Sequence, residues 1–348
     1  FGTSLTREQA EVLKQYNAHD VAQTKRFYHE TRPMIAFREE LCSKYPGRDW
    51  LNFNDTKIGK DYFIMKLEEA GVPCYDFGPK GRTPRQTKRP QIHLKDAILP
   101  WITFEQPEFQ RVLEWLKAQT ITETKGVFTD LVARVDGFDF VFGTGGIHGS
   151  VENEIVEADS EYAVIDLDVS SYYPNLAIKN RFFPEHLGQG FCDIYQHLYE
   201  QRKNYPKGSA ENAMLKLALN GVYGDSNNVF SVFYDPLFTM SITLSGQLLL
   251  CLLAENIVLN VPGVQLIQCN TDGITVRIPH GSSFALKMVC EHWEKLTKLR
   301  LEQMTYQRMC IRDVNNYIGQ YLDGKVKRKG AYEHDLEWHQ NHSALVVP

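Results

Sequence analysis

The stretch QCNTDGITV, residues 268–276, places a single aspartate, Asp272, between a threonine and a glycine. Apolar residues alternate with polar ones on both sides of it, at Val264, Leu266, Ile274, Val276 and Ile278. This alternation predicts two strands joined across NTDG, residues 270–273, with the Asp-Gly pair as the turn signal. Asp272 is then either a turn residue of a hairpin or one half of a metal site whose other half lies elsewhere.

A second acidic segment, YAVIDLDV at residues 162–169, has the alternation of a strand. Asp166 and Asp168 fall on one face of this strand, and the opposite face is apolar. Such a strand either borders a functional site or forms an exposed edge of a sheet.

Helical periodicity predicts a long helix near the start of the chain and a helical hairpin further on. The first covers residues 5–30 and begins near Thr6. The hairpin consists of residues 191–205 and 210–224. Pro206 and Gly208 separate its two helices, and Ser209 caps the second.

One face of the second hairpin helix is polar where a core helix would be apolar. Lys216, Asn220 and Tyr223 are spaced at i, i+4 and i+7, so they share this face. On the first hairpin helix Arg202 continues an apolar stripe with a charge. Both features favour a ligand at the hairpin.

The composition is that of a globular protein, with 348 residues of which 43% are hydrophobic and 23% charged. The apolar run from Leu248 contains Glu255 and Asn256 and is shorter than the roughly 20 residues of a transmembrane helix, so no membrane partner is expected. The seven cysteines form no C-x-x-C pair, which disfavours a zinc ribbon and favours the reducing cytoplasm.

The net charge of −5 argues against nucleic-acid binding that is driven by bulk charge. Basic residues are nevertheless concentrated in two segments, five in residues 80–90 and four in residues 324–330. Each segment is either a solvated loop or a set of phosphate contacts.

Three stretches in order resemble the motifs of family B DNA polymerases of phage or plasmid type. DVSSYYP, residues 168–174, resembles the first palm motif, D-x-x-S-L-Y-P, with Tyr172 in place of leucine. KLALNGVYG, residues 216–224, resembles the fingers motif K-x-x-x-N-S-x-Y-G, with Gly221 in place of serine. NTDG, residues 270–273, resembles the palm motif D-T-D-S, with Asn270 in place of its first aspartate.

Three weaker likenesses surround these motifs. VKRKGAY, residues 326–332, is similar to the lysine-rich motif that contacts the primer–template duplex. GTGGIHG, residues 143–149, is similar to the glycine-rich motif before the palm, and YNAHD, residues 16–20, to the third exonuclease motif.

The resemblance implies an α+β fold, in which a palm of antiparallel sheet and flanking helices carries a helical-hairpin fingers subdomain. It assigns residues 1–30 to the end of a 3′–5′ exonuclease-like domain and residues 31–160 to a linking region that guides the template. The palm is then 161–188 with 225–335, the fingers are 189–224, and 336–348 begin a thumb.

The resemblance also implies a two-metal nucleotidyl transfer. It assigns Asp168 and Asp272 as catalytic carboxylates that hold two Mg²⁺ ions, assisted by the backbone carbonyl of Val169, with Mn²⁺ as a substitute. The neutral Asn270 then means a weaker or more metal-selective site, unless Asp166 compensates for it.

Nucleotide and DNA contacts follow from the same resemblance. It implies that Arg202, Lys207 and Lys216 hold the triphosphate of the dNTP. Tyr173 is a steric gate against the ribose 2′-hydroxyl or else a core residue beside Tyr172. Residues expected to flank the nascent base pair or to contact primer–template DNA are Asn220, Tyr223, Lys327, Lys329, Tyr332, Gly145 and Gly146.

Departures from the family shape the remaining expectations. The first two exonuclease motifs are absent, and Tyr16 with Asp20 cannot build a nuclease alone, so proofreading by this chain is not expected. Separate subunits could supply the exonuclease or the thumb, and the short spacing between palm and fingers motifs favours a nucleic-acid primer. A phage-encoded enzyme would act in the bacterial cytoplasm. The alternatives are a catalytically silent DNA-binding remnant, a split polymerase subunit that needs a partner, and a nuclease.

Overall fold

A computed structural model of the chain describes residues 5–79 and 81–333. Lys80 and the thumb segment predicted at 336–348 therefore lie outside the described residues. The helices are α1 (Arg7–Lys44), α2 (Asp55–Glu69), α3 (Pro107–Ala118), α4 (Tyr172–Asn180), α5 (Gly190–Lys203), α6 (Ala210–Asp225), α7 (Pro236–Asn260) and α8 (Ser283–Thr297).

All pairings between the strands are antiparallel. They are β1 (Tyr75–Gly78), β2 (Gly81–Pro84), β3 (Ile92–His93), β4 (Thr120–Ile121), β5 (Val132–Val135), β6 (Phe138–Gly143), β7 (Gly146–Ser150), β8 (Glu154–Glu157), β9 (Tyr162–Val169), β10 (Gln265–Asn270), β11 (Gly273–Pro279), β12 (Leu301–Asp313), β13 (Asn316–Tyr321) and β14 (Val326–Arg328). The predicted α+β class with an antiparallel sheet is confirmed.

The chain divides into two compact units, residues 1–63 with 198–221, and residues 64–197 with 222–348. The first unit thus joins the start of the chain to most of the predicted fingers hairpin. The domain boundaries expected from the sequence stay predictions.

In the first unit α1 begins as predicted but is much longer than expected. Thr6 and Gln9 form a capping box, in which the Thr6 side chain accepts from the Gln9 N–H and the Gln9 side chain accepts from the Thr6 N–H. The helix does not end at residue 30, because the chain stays helical through Pro33 and continues to Lys44. Its end packs into a small core in which Trp50 is fully buried and donates its indole N–H to Asp61 at 2.8 Å.

The predicted helical hairpin is confirmed as α5 and α6. The Ser209 hydroxyl accepts the backbone N–H of Asn212 at 3.3 Å, which satisfies a free donor at the start of α6. The connection contains Pro206 and Gly208, as the sequence predicts.

The second unit contains a ten-stranded sheet. Nine strands follow the order β14-β13-β12-β9-β11-β10-β7-β6-β5, and the tenth strand, β8, pairs with β12. The two acidic segments of the sequence are adjacent in it, because β9 lies between β12 and β11. The segment that contains Asp168 and the hairpin that contains Asp272 are therefore neighbours.

Helix α7 is the central buried helix of this unit. It is long and apolar enough to cross a membrane by length and composition, with a mean hydropathy of 1.8, but 94% of that stretch is buried inside the protein. Trp293 of α8 donates its indole N–H to the Leu249 carbonyl of α7 at 2.9 Å. Glu255, which interrupts the apolar run, accepts the backbone N–H groups of Glu105 and Gln106, directly before α3, at 2.7 and 2.6 Å. These contacts are those of a core helix.

Candidate active site

The pairing of β9 with β11 brings the two predicted catalytic aspartates together. Asp168 of β9 lies opposite Gly273 of β11, which directly follows Asp272. The backbone N–H of Val169 donates to the carbonyl of Asp272 at 2.7 Å. Asp272 is thus both a turn residue and a neighbour of Asp168, so the two interpretations of it are compatible.

The turn itself differs from the prediction. Asn270 pairs with Gly273, so the two central residues of the turn are Thr271 and Asp272, and the Asp-Gly pair is not central. Neither central residue has a positive φ. The hairpin of β5 and β6 provides the contrast, because its central pair Asp136-Gly137 has φ of 53° and 79°, the left-handed geometry for which Asp-Gly is favoured.

Gly273 is required for space and not for turn geometry. A β-carbon at this position would collide with Oδ1 of Asp168 and would lie 2.8 Å from the carbonyl oxygen of Leu167. The missing side chain at residue 273 therefore leaves room for the carboxylate of Asp168.

Burial and neighbouring negative charge raise the pKa of both Asp168 and Asp272. Partial burial and the charge of Asp166 raise the pKa of Asp168 to about 7, with Lys327 acting in the opposite direction. Desolvation by the surrounding protein atoms also raises the pKa of Asp272, although this residue is in contact with solvent. Carboxylates that are destabilised in this way favour a bound cation.

The carboxylate of Asp166, the residue that could compensate for Asn270, has both oxygens engaged by other groups. It is 5% exposed, and its Oδ1 accepts from the Thr275 hydroxyl at 2.7 Å. Its Oδ2 accepts from the Tyr306 hydroxyl at 3.0 Å and from Lys327 at 3.4 Å. Asp166 is therefore held by side chains of the sheet and does not line the cleft described below, and its compensation for Asn270 stays a prediction.

Asn270 is held by neutral partners. Its side-chain amide donates to Oε1 of Gln268 at 3.0 Å, and Gln268 donates to the Val314 carbonyl at 3.2 Å. The amide at residue 270, where the sequence resemblance expects an aspartate, thus has a satisfied hydrogen bond.

A polar cleft of about 390 Å³ opens above these groups. Its lining combines the two aspartates with basic and hydrogen-bonding side chains: His148, Asp168, Asn270, Thr271, Asp272, Val314, Asn315, Tyr317, Lys327 and Lys329. Burial lowers the pKa of His148, whose Nε2 is hydrogen-bonded to the Thr271 hydroxyl at 3.0 Å.

The glycine-rich hairpin of β6 and β7 borders the Asp272 turn. Gly146 has a φ of 139°, and a β-carbon there would lie 2.8 Å from the Thr271 side chain. The carbonyl of Gly145 accepts a hydrogen bond from the Tyr173 hydroxyl at 2.9 Å. Gly145, one of the predicted DNA-contacting glycines, is therefore in direct contact with the predicted gate Tyr173.

Tyr172 and Tyr173 have different surroundings. Tyr172 is 4% exposed and donates its hydroxyl to the Gly246 carbonyl of α7 at 2.6 Å, so it is the core residue of the pair. Tyr173 is half-buried and lies against Tyr223, with ring centroids 4.2 Å apart. Tyr223 in turn shares a hydrogen bond of 2.8 Å with the Thr243 hydroxyl. Tyr173 thus presents a fixed ring at the surface.

The other predicted nucleotide-binding residues belong to the first unit. Lys207, Lys216 and Asn220 are exposed, and Arg202 is half-buried with its Nε 3.4 Å from Oδ1 of Asn212. Their relation to Asp168 and Asp272 stays a prediction.

Tyr16 and Asp20 are exposed on α1, also in the first unit. Across residues 5–79 and 81–333, no group of three or more His, Cys, Asp or Glu side chains is arranged to hold a metal. A metal near Asp168 would therefore have two side-chain carboxylates and would complete its shell with backbone, water or substrate oxygens. This donor set fits Mg²⁺, which prefers oxygen ligands and retains several waters.

The lysine-rich segment meets the site in a way that the sequence does not predict. Lys327 of β14 lies 3.4 Å from Asp166 and 4.0 Å from Asp168, and Lys329 lines the cleft. Tyr332, half-buried, lies in the 3₁₀ turn Gly330–Tyr332. The sequence assigned Lys327 only to DNA, whereas here it is an ion-pair partner of the acidic cluster.

Sequence reasoning missed Thr275, Tyr306 and Tyr317, which surround Asp166 and Lys327. Thr275 lies opposite Asp166 in the pairing of β9 with β11. In the sequence each of them has the pattern of an ordinary strand residue. Only the order of the strands shows that they meet around Asp166 and Lys327.

Comparison with known proteins finds a likeness among solved structures. No protein-family model matches the sequence, and no curated protein matches it. The structure of the family B DNA polymerase from the hyperthermophilic archaeon Pyrobaculum calidifontis is similar to 93% of this chain, with a TM-score of 0.48 and 16% sequence identity. The chain spans 39% of the length of that polymerase.

Proposed function

We propose that this chain is the core of a template-directed DNA polymerase that adds dNTPs to the 3′-hydroxyl of a primer. The observation that carries the proposal is the pairing of β9 with β11, which sets Asp168 and Asp272 side by side at one end of a polar cleft. These two residues are separated by about a hundred positions in the sequence, and each lies in a segment that resembles a palm motif of the family.

In this proposal Asp168 and Asp272 hold divalent cations through their carboxylates, with help from the backbone of Val169. The cations, when bound, activate the attacking 3′-oxygen and stabilise the charge on the leaving pyrophosphate. The raised pKa of both aspartates supports this role, because their surroundings disfavour an uncompensated negative charge.

Tyr173 selects the sugar of the incoming nucleotide. Its hydroxyl donates to the Gly145 carbonyl, and its ring packs against Tyr223. A ring that is packed against a neighbour resists moving aside for a 2′-hydroxyl, which is the property that a steric gate needs.

The triphosphate and the duplex are held by basic residues. Arg202, Lys207 and Lys216 bind the triphosphate, and Asn220 and Tyr223 flank the nascent base pair. Lys329 and Tyr332, with Gly145 and Gly146, contact the primer–template backbone, and Lys327 reaches it from the cleft. We assign no nuclease step to Tyr16 and Asp20.

A second candidate is a DNA-binding chain without catalytic activity. Asn270 favours it, because an amide that is bonded to Gln268 replaces a carboxylate of the family motif and leaves two acids in the cleft. This candidate predicts that Mg²⁺ and dNTPs do not change how the chain binds DNA.

Primer extension on a short template distinguishes the two candidates. The reactions contain all four dNTPs, or three of the four, with Mg²⁺ and separately with Mn²⁺. The polymerase proposal predicts extension that stops at the template base whose partner is withheld. Extension that continues past this template base would contradict template direction. A folded chain that binds DNA but does not extend the primer would favour the candidate without catalytic activity.

A further inference from the structure

Lys327 is the lysine of the lysine-rich segment that lies against the acidic cluster. Its ammonium is 3.4 Å from Oδ2 of Asp166 and 4.0 Å from Oδ2 of Asp168, and its side chain is 25% exposed. Its neighbour Lys325 has an ordinary surface setting, with 81% exposure and an ion pair to Asp323 at 2.8 Å. The position of Lys327 is therefore specific to its place in β14.

Asp166, the ion-pair partner of Lys327, is itself held by hydrogen bonds from buried side chains. Asp166 is held by the Thr275 hydroxyl at 2.7 Å and the Tyr306 hydroxyl at 3.0 Å, both from buried residues. Tyr306 stacks on Tyr321 with ring centroids 4.6 Å apart.

The ring of Tyr317 provides a second contact for the ammonium of Lys327, 5.8 Å from the ring centroid. The pairing of β14 with β13 sets the backbone of Lys327 opposite Gly319. The ammonium is thus positioned by buried groups and not by solvent.

An ammonium at this distance uses the same carboxylate that a divalent cation at Asp168 would use. Unit charges a few ångströms apart in a partly desolvated cleft interact strongly, and the repulsion doubles when one of the two cations is divalent. A metal at Asp168 must therefore displace Lys327 or bind against its charge.

We propose that Lys327 is a built-in counter-ion that competes with the divalent cation for Asp168, and that Asp166 is the positioning residue that holds it there. This inference rests on the proposed function, which places a cation at Asp168. It goes beyond that function because it makes metal affinity depend on a lysine that was expected only to contact DNA.

The test is the dissociation constant for Mg²⁺, measured by titration calorimetry and by the metal-induced shift in melting temperature, without DNA or nucleotide. A pH of about 8.5 keeps the carboxylates ionised, so that proton competition does not enter the comparison. We compare the unmodified chain with Lys327→Gln and Lys327→Arg, with Lys325→Gln as the matched control and Asp168→Asn as the site control. Lys327→Met serves as a second neutral variant, because it keeps the aliphatic stem against Tyr317.

The neutral variants at residue 327 are expected to bind Mg²⁺ roughly threefold more tightly or better, since they remove a cation from the carboxylate. Lys327→Arg and Lys325→Gln are expected to match the unmodified chain. Unchanged or weaker binding in both neutral variants would overturn the inference while leaving the metal assignment intact. Mg²⁺ binding that is absent, or that is indifferent to Asp168→Asn, would overturn the metal assignment and this inference together.

Discussion

Gly273 lies opposite Asp168 where β11 pairs with β9, and the Asp168 carboxylate occupies the space that a β-carbon at residue 273 would need. The absence of a side chain at Gly273 is thus explained by its contact with Asp168. A side chain at residue 273 would displace the Asp168 carboxylate.

Gly273→Ala should destabilise the protein by about 1–3 kcal/mol, the usual cost of forcing an extra group into a packed site, and should abolish extension because Asp168 must move. Urea denaturation and primer extension measure the two effects. Gly281→Ala is the control, since a β-carbon there meets no heavy atom within 4 Å. Equal stability and activity of the two variants would show that the Asp168 side chain moves aside without consequence.

Tyr173 should discriminate between sugars through its ring and not through its hydroxyl. Tyr173→Ala opens the space beside Gly145 and should raise ribonucleotide incorporation relative to dNTP incorporation by about tenfold or more. Tyr173→Phe loses the hydrogen bond to Gly145 but keeps the ring, so it should retain most of the discrimination. Incorporation ratios from single-nucleotide extension provide the measurement, and a ratio that is unchanged in Tyr173→Ala would exclude the gate.

Asp168 should make the metal-free protein less stable as the pH rises. Its folded-state pKa of about 7 lies above the value of about 4 for an unfolded aspartate, so its contribution to stability is fully present below pH ~4 and is lost as the pH rises through about 7. Asp168→Asn removes this loss. After allowance for the 42% exposure of the side chain, the variant should be more stable than the unmodified protein by about 1–2 kcal/mol above pH ~7.

Urea denaturation in EDTA across this pH range measures the effect on the free energy of unfolding. The difference between Asp168→Asn and the unmodified protein should shrink as the pH falls toward ~4 and below, because Asp168 then becomes protonated in both states. A difference that is constant with pH would mean that Asp168 is not destabilised by its neighbours.

The hydrogen bond from Tyr306 to Asp166 should make a measurable contribution to the free energy of unfolding. Tyr306→Phe removes a buried donor to a charged acceptor, so we expect it to lower the free energy of unfolding by about 1.5–3 kcal/mol. Tyr321→Phe is a useful comparison, because its hydroxyl is only half-buried and lies 3.5 Å from that of Tyr306. If Tyr306→Phe costs no more than Tyr321→Phe, the contact with Asp166 does not support the site.

Local chemistry in the sequence predicts much of the fold. The capping box at Thr6, the breakers Pro206 and Gly208 and the cap Ser209 place helix ends correctly, because these signals act within one turn of helix. The alternation of apolar and polar residues in β9 and β11 likewise predicts strands, because this pattern is also local in the sequence.

Features that depend on distant pairing are not predictable from local signals. The Asp-Gly pair at 272–273 looks like the one at 136–137, yet only the latter is the centre of a left-handed turn. Gly273 is explained by β9, more than a hundred residues earlier in the chain. The contact of Lys327 with Asp166 similarly depends on the order of β14, β13, β12 and β9, which no motif encodes.

The comparison of Asp272→Asn with Asp136→Asn tests the central claim most directly. Both variants replace an aspartate by an asparagine of nearly the same volume before a glycine in a hairpin turn, but only Asp272 lies beside Asp168. We predict that Asp272→Asn lowers the rate of primer extension with Mg²⁺ by roughly a hundredfold or more with the melting temperature unchanged or raised, and that Asp136→Asn leaves the rate unchanged. Extension by Asp272→Asn at the rate of Asp136→Asn would contradict the assignment of Asp272 to a catalytic cation site.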